Sequence, residues 1–266
     1  SMMDLYLTNE EVDNFLQLIN LKREDCSVDY LQKIIENTIN NIPFQNLTML
    51  CNNREIPDAE YIKKQMLSGA GGICTIRNPF IYKLLLNLGF DARLVASTIQ
   101  RPDCHITIIV NIDGKLWWCD PGNGFPYFSL ICLGDESEKN HNFLTYKLVK
   151  SDNRWELKHL NSENEWFTNY SFDLSFVELS YFEEMYVGHY TIEGYGPFLT
   201  GLRYNLWSND DWEILRDRLF STKMESESFE NFNEFGEWMN SKFTSKEIRK
   251  LIGTNQNIRK LWEVVA

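Results

Sequence analysis

Hydrophobic positions recur every three or four residues through the first third of the chain, a pattern that predicts amphipathic helices. Thr8 and Glu11 have the spacing of a capping box, which predicts a helix start. Another helical stretch is expected to start at Asn78-Pro79 and to stop at Gly89. We expect the apolar sides of these helices to pack into a common core.

The hydrophobic period changes to two in the middle third, which predicts β-strands. Residues 105–112 and 115–119 flank Asp113-Gly114, a dipeptide typical of a two-residue hairpin turn. Further short strands are predicted between residues 143 and 160. Their density is typical of a small barrel or sandwich.

The predicted hairpin determines which side chains share a face. If the two residues after Ile112 form the loop, Ile112 faces Lys115 and Thr107 faces Asp120. Side chains alternate along a strand, so His105 and Asp120 then lie on one face, a diagonal step apart. Asp120 is placed to accept a hydrogen bond from one ring nitrogen of His105. A loop of odd length would put the pair on opposite faces.

Two interpretations of this polar face stay open. It can be a solvent-exposed surface on which the contact between His105 and Asp120 is incidental, or it can be part of a ligand site. The glycine-rich loop 121–124 follows directly and would open space beside the pair, as a ligand site needs.

Cys74 is the candidate nucleophile. It follows Gly71 and Gly72 and lies at or near a predicted helix start, where backbone N–H groups stabilise a thiolate. A free cysteine is more often a small buried hydrophobe, so this context alone does not establish chemistry. With His105 as the base and Asp120 to orient it, Cys74 would complete a nucleophilic triad.

Charge and composition exclude several classes of protein. Lys and Arg number 26 against 38 Asp and Glu, a net charge of −12, so we expect no nucleic-acid partner. No apolar run reaches the roughly 20 residues that span a bilayer, and no signal pattern begins the chain, so we expect a cytoplasmic protein without a membrane partner. Six scattered cysteines favour reduced thiols, and the four histidines lack zinc-site spacing, so we expect no metal.

Four sequence blocks resemble the arylamine N-acetyltransferases in order and spacing. The blocks are IPFQNLTML (42–50), GGIC with the following Asn (71–78), LLLNLGFDARLV (84–95) and HITIIVNIDGKLWWCDPGNG (105–124). The resemblance implies an α+β fold around a cysteine-protease-like triad core. Its expected parts are an N-terminal helical bundle (1–88), a central antiparallel β-barrel (89–190) and a C-terminal α/β lid (191–266).

The resemblance also implies the chemistry. Cys74, His105 and Asp120 match the triad positions of the family. Acetyl-coenzyme A would acetylate Cys74, and an aromatic amine, hydrazine or N-hydroxyarylamine would take the acetyl group in a ping-pong reaction. The implied partners are thus coenzyme A and a small aromatic amine, in a role such as xenobiotic metabolism.

Four further positions are similar to family binding residues. Gly124 and Phe125 match the loop that meets the pantetheine arm of coenzyme A, and Phe44 and Phe198 resemble residues that line the acceptor pocket. For each aromatic residue, ordinary core packing is an equally good interpretation.

The chain departs from the family at several places. Ala70 and Ile76 stand where the family has Arg and Glu. If the family's Arg and Glu form an ion pair, replacing both of them leaves no unpaired buried charge. The loop after Asp120 reads Pro-Gly-Asn-Gly, where the family has Val-Gly-Phe-Gly. These departures keep the triad but bear on acceptor choice and acyl-donor affinity.

Three other functions stay open. A transglutaminase-like or papain-like hydrolase carries the same kind of triad, an amide synthase of this fold joins a long acyl chain to an arylamine, and a binding module would use the scaffold without catalysis. The 42–50 block and the loop after Asp120 favour the acetyltransferase. The oligomeric state is not set by the sequence.

Overall fold

The computed structural model describes residues 4–253 and 255–265 of the chain. Its N-terminal part is helical, as the periodicity predicts, and the capping box of Thr8 and Glu11 is confirmed. The elements of this part are α1 (Asn9–Leu18), α2 (Val28–Asn41), β1 (Phe44–Gln45), α3 (Leu47–Cys51), α4 (Ala59–Leu67) and α5 (Cys74–Leu88).

Helix α5 forms the centre of the helical part. It is buried on every side over most of its length, which is typical of a helix enclosed by other elements. The rings of Phe15 in α1 and Phe80 in α5 lie 4.8 Å apart, and burial of one such side chain contributes about 1.5–3 kcal/mol. This packing holds the first residue of α5, Cys74, in a fixed place.

The start of α5 corrects the expectation of a helix beginning at Asn78-Pro79. The helix begins at Cys74 and continues through the proline. A proline has no N–H to donate to the carbonyl of Thr75, one turn earlier. The hydroxyl of Tyr186 donates to that carbonyl at 2.5 Å instead, so the carbonyl is not left without a partner.

The middle of the chain forms an antiparallel sheet. Its strands are β2 (Asp91–Ile99), β3 (Arg101–Ile112), β4 (Lys115–Cys119), β5 (Ile131–Cys132), β6 (Lys139–Asn140), β7 (Thr145–Ser151), β8 (Arg154–Leu160), β9 (Trp166–Phe172) and β10 (Phe176–Val177). They lie in the order β5-β4-β3-β2-β9-β8-β7-β6, with β10 paired to β2. Ile112 pairs with Lys115, so the predicted hairpin register is confirmed.

This sheet is not the closed barrel that the resemblance implies. Within the described ranges, its end strands β5 and β6 do not pair with each other. Each of them is two residues long, so they offer few backbone groups for the ladder that closes a barrel. The sheet therefore remains open between them.

Both faces of β3 are buried, which changes the interpretation of its polar side. Ile106 and Ile108 point into a core shared with the helices, whereas Ile109 packs in a second core with Trp118. His105 lies on the face of Ile109 and is 3% exposed. The solvent-exposed polar surface considered for this face is therefore excluded.

The C-terminal part contains a second sheet and further helices. Its elements are α6 (Glu183–Thr191), β11 (Arg203–Trp207), β12 (Trp212–Arg216), β13 (Leu219–Thr222), β14 (Ser226–Ser228), α7 (Phe232–Lys242), α8 (Lys246–Gly253) and α9 (Gln256–Val264). Strand β1 joins the edge of this sheet, where Phe44 pairs with Asn205. None of the helices described has the length and apolar character needed to cross a membrane.

Candidate active site

A glycine turn places Cys74 beside β1. Gly71 has a positive φ of 72°, and a Cβ there would lie 2.0 Å from the carbonyl oxygen of Pro43, so the position requires glycine. Gly72 forms a bridge with Phe44. Cys74 is the first residue of α5, whose start has no side-chain cap. The partial positive charge of a helix N-terminus favours an anion at this position.

His105 and Asp120 make the contact that the hairpin register predicts. Nε2 of His105 lies 2.7 Å from Oδ2 of Asp120, and the two side chains are 4% and 0% exposed. Cys74 lines the same cavity as His105 and is close enough to affect the pKa of its ring. With Nε2 facing Asp120, the other ring nitrogen is the one left for the sulfur. Burial disfavours the imidazolium, but the Asp120 charge and the hydrogen bonds of Asp120 and Cys74 raise the pKa of His105 well above 6.5.

Four donors surround the carboxylate of Asp120. Oδ2 accepts from Nε2 of His105, from the hydroxyl of Tyr170 at 2.9 Å and from Nδ2 of Asn123 at 3.2 Å. Oδ1 accepts from Nδ2 of Asn78 at 2.7 Å. Hydrogen bonds to a charged acceptor are stronger than neutral ones, so these donors fix the carboxylate against the imidazole.

Asn78 joins the helix of Cys74 to the loop after Asp120. Its Nδ2 also donates to the carbonyl of Ile106 at 2.8 Å, and its Oδ1 accepts from the N–H of Gly122 at 2.9 Å. A Cβ at Gly122 would lie 2.5 Å from the Asn78 side chain, so this position also requires glycine. Sequence analysis missed this role, although Asn78 lies one turn after Cys74 on the same helix face.

A cavity of about 530 Å³ opens beside this constellation. The predicted site residues that line it are Phe44, Cys74, His105, Gly124, Phe125 and Phe198. Asp120, which is fully buried, lies behind His105. The rings of Phe44 and Phe198 meet edge to face at 5.7 Å, and such an aromatic wall suits a planar apolar ligand.

The loop after Asp120 is tied to the C-terminal sheet. The carbonyl of Gly124 accepts from Nδ2 of Asn205 at 3.1 Å and from Nε1 of Trp207 at 2.9 Å. The cavity is therefore enclosed by residues far apart in sequence. In residues 4–253 and 255–265, no group of three or more His, Cys, Asp or Glu side chains is arranged to hold a metal ion.

Two residues of the site carry no local sequence signal. Tyr170 reaches Asp120 from β9, 50 residues along the chain. His189 of α6 lines the cavity, and its Nε2 contacts the carbonyl of Cys104 at 3.0 Å. Burial lowers the pKa of His189 to about 4, so its ring is uncharged at neutral pH.

Comparison with known proteins places these features in a family. The sequence model of a family described as N-acetyltransferase matches residues 27–248. The chain is 27% identical over 128 residues to arylamine N-acetyltransferase 1 of Bos taurus, a match that covers 44% of each protein. The chain therefore spans less than half the length of this relative.

The fold is also similar to solved structures. An arylamine N-acetyltransferase from Salmonella typhimurium superposes with a TM-score of 0.82 and 17% identity, covering 97% of this chain and 100% of that one. An arylamine N-acetyltransferase from Bacillus cereus superposes with a TM-score of 0.76 and 18% identity, covering 89% of this chain and 98% of that one. That protein is described as having a Cys-His-Glu catalytic triad. At these identities the likeness establishes the fold.

Proposed function

Because the chain belongs to the N-acetyltransferase family, we propose that it transfers an acetyl group from acetyl-coenzyme A to an aromatic amine through a thioester on Cys74. The observation that supports the proposal is that Cys74 and His105 line one cavity while Asp120 holds the far side of the His105 ring. The three-part division at residues 1–88, 89–190 and 191–266 and a cytoplasmic location belong to the same proposal.

Cys74 is the nucleophile of the first half-reaction. Its thiolate attacks the carbonyl carbon of the acetyl thioester, so that one C–S bond forms and the bond to the sulfur of coenzyme A breaks. The imidazolium of His105 pairs with the thiolate beforehand and gives its proton to the departing sulfur. Coenzyme A leaves as a free thiol, and the acetyl group stays on Cys74.

His105 is the base of the second half-reaction. The amine nitrogen attacks the thioester carbon, His105 accepts a proton from it, and the bond to the Cys74 sulfur breaks. This restores the thiolate and the imidazolium, which Asp120 orients and stabilises. An arylamine suits this step because it is a weak base, so it is mostly unprotonated at neutral pH and its nitrogen lone pair is free.

The cavity residues divide between the two substrates. We assign the edge-to-face pair of Phe44 and Phe198 to the ring of the acceptor, which is an arylamine, an arylhydrazine or an N-hydroxyarylamine. We assign Gly124 and Phe125 to the pantetheine arm of coenzyme A. Phe125 supports this assignment because it lines the cavity and yet is 37% exposed, as a residue at its mouth would be.

Intact mass after mixing with acetyl-coenzyme A tests the proposal. We expect the protein to gain one acetyl group, Cys74→Ser to gain none, and an added aniline to remove the label. Cys104→Ala is the matched control, because Cys104 lines the same cavity but its sulfur contacts the backbone of Ile99. This variant should still acquire the label.

The same samples separate the competing functions. Turnover of a peptide or glutamine amide without stable acetylation would select the hydrolase. Acylation by long-chain donors in preference to acetyl-coenzyme A would select the amide synthase. If neither labelling nor turnover is seen, the chain is a binding module and the proposal is wrong. A screen of anilines, hydrazines and hydroxylamines then identifies the acceptor class.

A further inference from the structure

A buried arginine lies one turn after the candidate nucleophile. Arg77 is 1% exposed, three residues beyond Cys74 in α5. Its Nη1 donates to the carbonyls of Ile42 and Pro43 at 2.6 and 2.9 Å. Its Nε and Nη2 donate to the carbonyl of Pro121 at 3.1 and 2.6 Å. The guanidinium thus connects the segment before β1, the nucleophile helix and the loop after the triad acid.

These hydrogen bonds do not neutralise the charge of Arg77. Carbonyl oxygens are neutral, and removing an ion from water costs several kcal/mol unless an opposite charge lies near it. Burial lowers the pKa of Arg77 to about 10, and the attraction of Asp120 and Cys74 opposes that change. The guanidinium therefore stays charged at neutral pH, and these two triad members supply the negative charge that acts on it.

We propose that Arg77 is a positioning residue that keeps Cys74 ionised by neutralising the buried triad. This inference rests on the proposed function. The reactive triad holds two negative charges, on the thiolate and on Asp120, but only one positive charge, on the imidazolium of His105. The guanidinium supplies the second positive charge, so the cluster is neutral as a whole. Without Arg77, one net negative charge would be buried, and uptake of a proton by the sulfur would relieve it.

Three tyrosines also interact electrostatically with Cys74, and their hydroxyls are uncharged at neutral pH. Tyr186 and Tyr190 approach it from α6 and Tyr195 from the following loop, and burial raises the pKa of each hydroxyl. The pKa values of two cationic groups, His105 and Arg77, are affected by Cys74. Arg203, which pairs with Asp217, and Arg216 line the same cavity, as do Cys104 and the uncharged ring of His189.

Neighbouring positions supply no opposite charge for Arg77. Ala70 and Ile76 are apolar and each 2% exposed, so the Arg and Glu that the resemblance leads us to expect there are replaced by core side chains. Arg77 is consequently a buried cation of this region that has no carboxylate of its own beside it in α5.

Alkylation of Cys74 by iodoacetamide across a range of pH tests the inference, because it needs no acetyl-coenzyme A. Peptide mass locates the modified cysteine. Arg77→Gln keeps an N–H donor for the carbonyls and removes the charge, so we expect its rate profile to move to higher pH, with a roughly tenfold lower rate at neutral pH. Arg77→Lys keeps the charge, so we expect a profile near that of the unaltered protein.

A surface arginine provides the control. Arg23→Gln removes a guanidinium whose partner, Asp13, is exposed on the helical part, and it should leave the alkylation profile unchanged. An unchanged profile for a folded Arg77→Gln would overturn the inference, as would an equal shift in Arg77→Lys. If Arg77→Gln does not fold, Arg77→Met takes its place as the variant without the charge. Its alkylation profile should then move to higher pH while that of Arg77→Lys does not, and any other result overturns the inference. Failure of the proposed function would appear separately, as absent acetylation of a Cys74 that is still alkylated at neutral pH.

Discussion

Asn78 and Asp120 are joined directly, with Nδ2 of the amide donating to Oδ1 of the carboxylate at 2.7 Å. The amide thereby couples the helix that begins at Cys74 to the group that orients His105. Its own oxygen accepts from the N–H of Gly122, so both ends of the amide are engaged. A change at this position acts on the nucleophile helix and on the acid at once.

Asn78→Ala should therefore impair both stability and catalysis. It leaves the carboxylate oxygen of Asp120 and the N–H of Gly122 without their partner, and a buried group left in this way costs about 1–3 kcal/mol. We expect a lower Tm. We also expect acetylation of Cys74 to be slowed by about tenfold, because a loss of about 1.4 kcal/mol corresponds to a factor of ten. Thermal unfolding and single-turnover mass spectrometry measure the two effects.

Asn37→Ala is the control for this prediction. Its Nδ2 donates to the carbonyl of Ile19 at 2.8 Å, away from the site. It should lower the Tm without slowing acetylation. Equal acetylation rates in the two alanine variants would contradict the role given to Asn78.

Tyr170→Phe tests the support of the carboxylate from the sheet. The hydroxyl donates to Asp120 and accepts from Nε1 of Trp118, both at 2.9 Å. Tyr170 is not among the residues that line the cavity. We therefore expect kcat to fall by about tenfold, corresponding to 1.4 kcal/mol, with the KM of the amine unchanged. Tyr146→Phe removes a buried hydroxyl bonded to the backbone of Ser129 and should leave kcat unchanged. A raised KM with normal kcat in Tyr170→Phe would assign it to binding.

The contact between His105 and Asp120 could be predicted from the nearby sequence alone. The turn dipeptide and the alternation of side chains set its geometry within 15 residues of chain, and the structure has that register. Contacts between segments that are distant in sequence could not be predicted in this way. Tyr170 arrives from β9, and the α5 start depends on Tyr186 from α6. Strand density likewise predicts a sheet, but whether its end strands meet depends on their length and packing.

Acid should destabilise the protein through His189. Burial lowers the pKa of this ring from 6.5 to about 4, so the unfolded chain binds its proton at a higher pH than the folded chain does. The contribution to the free energy of unfolding is full above pH 6.5 and is lost as the pH falls toward 4. Urea unfolding across this window should show a loss on the order of 3 kcal/mol that His189→Gln lacks. Parallel curves for the two proteins would contradict this.

His105 should affect the pH dependence of stability in the opposite direction to His189: its contribution should be lost as the pH rises. Its pKa is raised in the folded protein, chiefly by Asp120 against the effect of burial, so its contribution is full below pH 6.5 and is lost as the pH rises through the folded value. Asp120→Asn removes that attraction. We expect the difference in unfolding free energy between the unaltered protein and Asp120→Asn to shrink with rising pH. A difference that is independent of pH above 6.5 would show that Asp120 does not raise this pKa.

Phe198→Ala should weaken binding of the acceptor and spare the first half-reaction. The ring of Phe198 forms one side of the aromatic wall with Phe44, and burying such a ring contributes about 1.5–3 kcal/mol. The KM for an aniline should therefore rise by roughly ten- to a hundredfold, whereas acetylation of Cys74 should keep its rate. Hydrazine, which has no ring, should lose little. Phe167→Ala is the control, because its ring is 47% exposed on β9. Slower acetylation of Cys74 with an unchanged KM for aniline would place Phe198 on the donor side of the cavity.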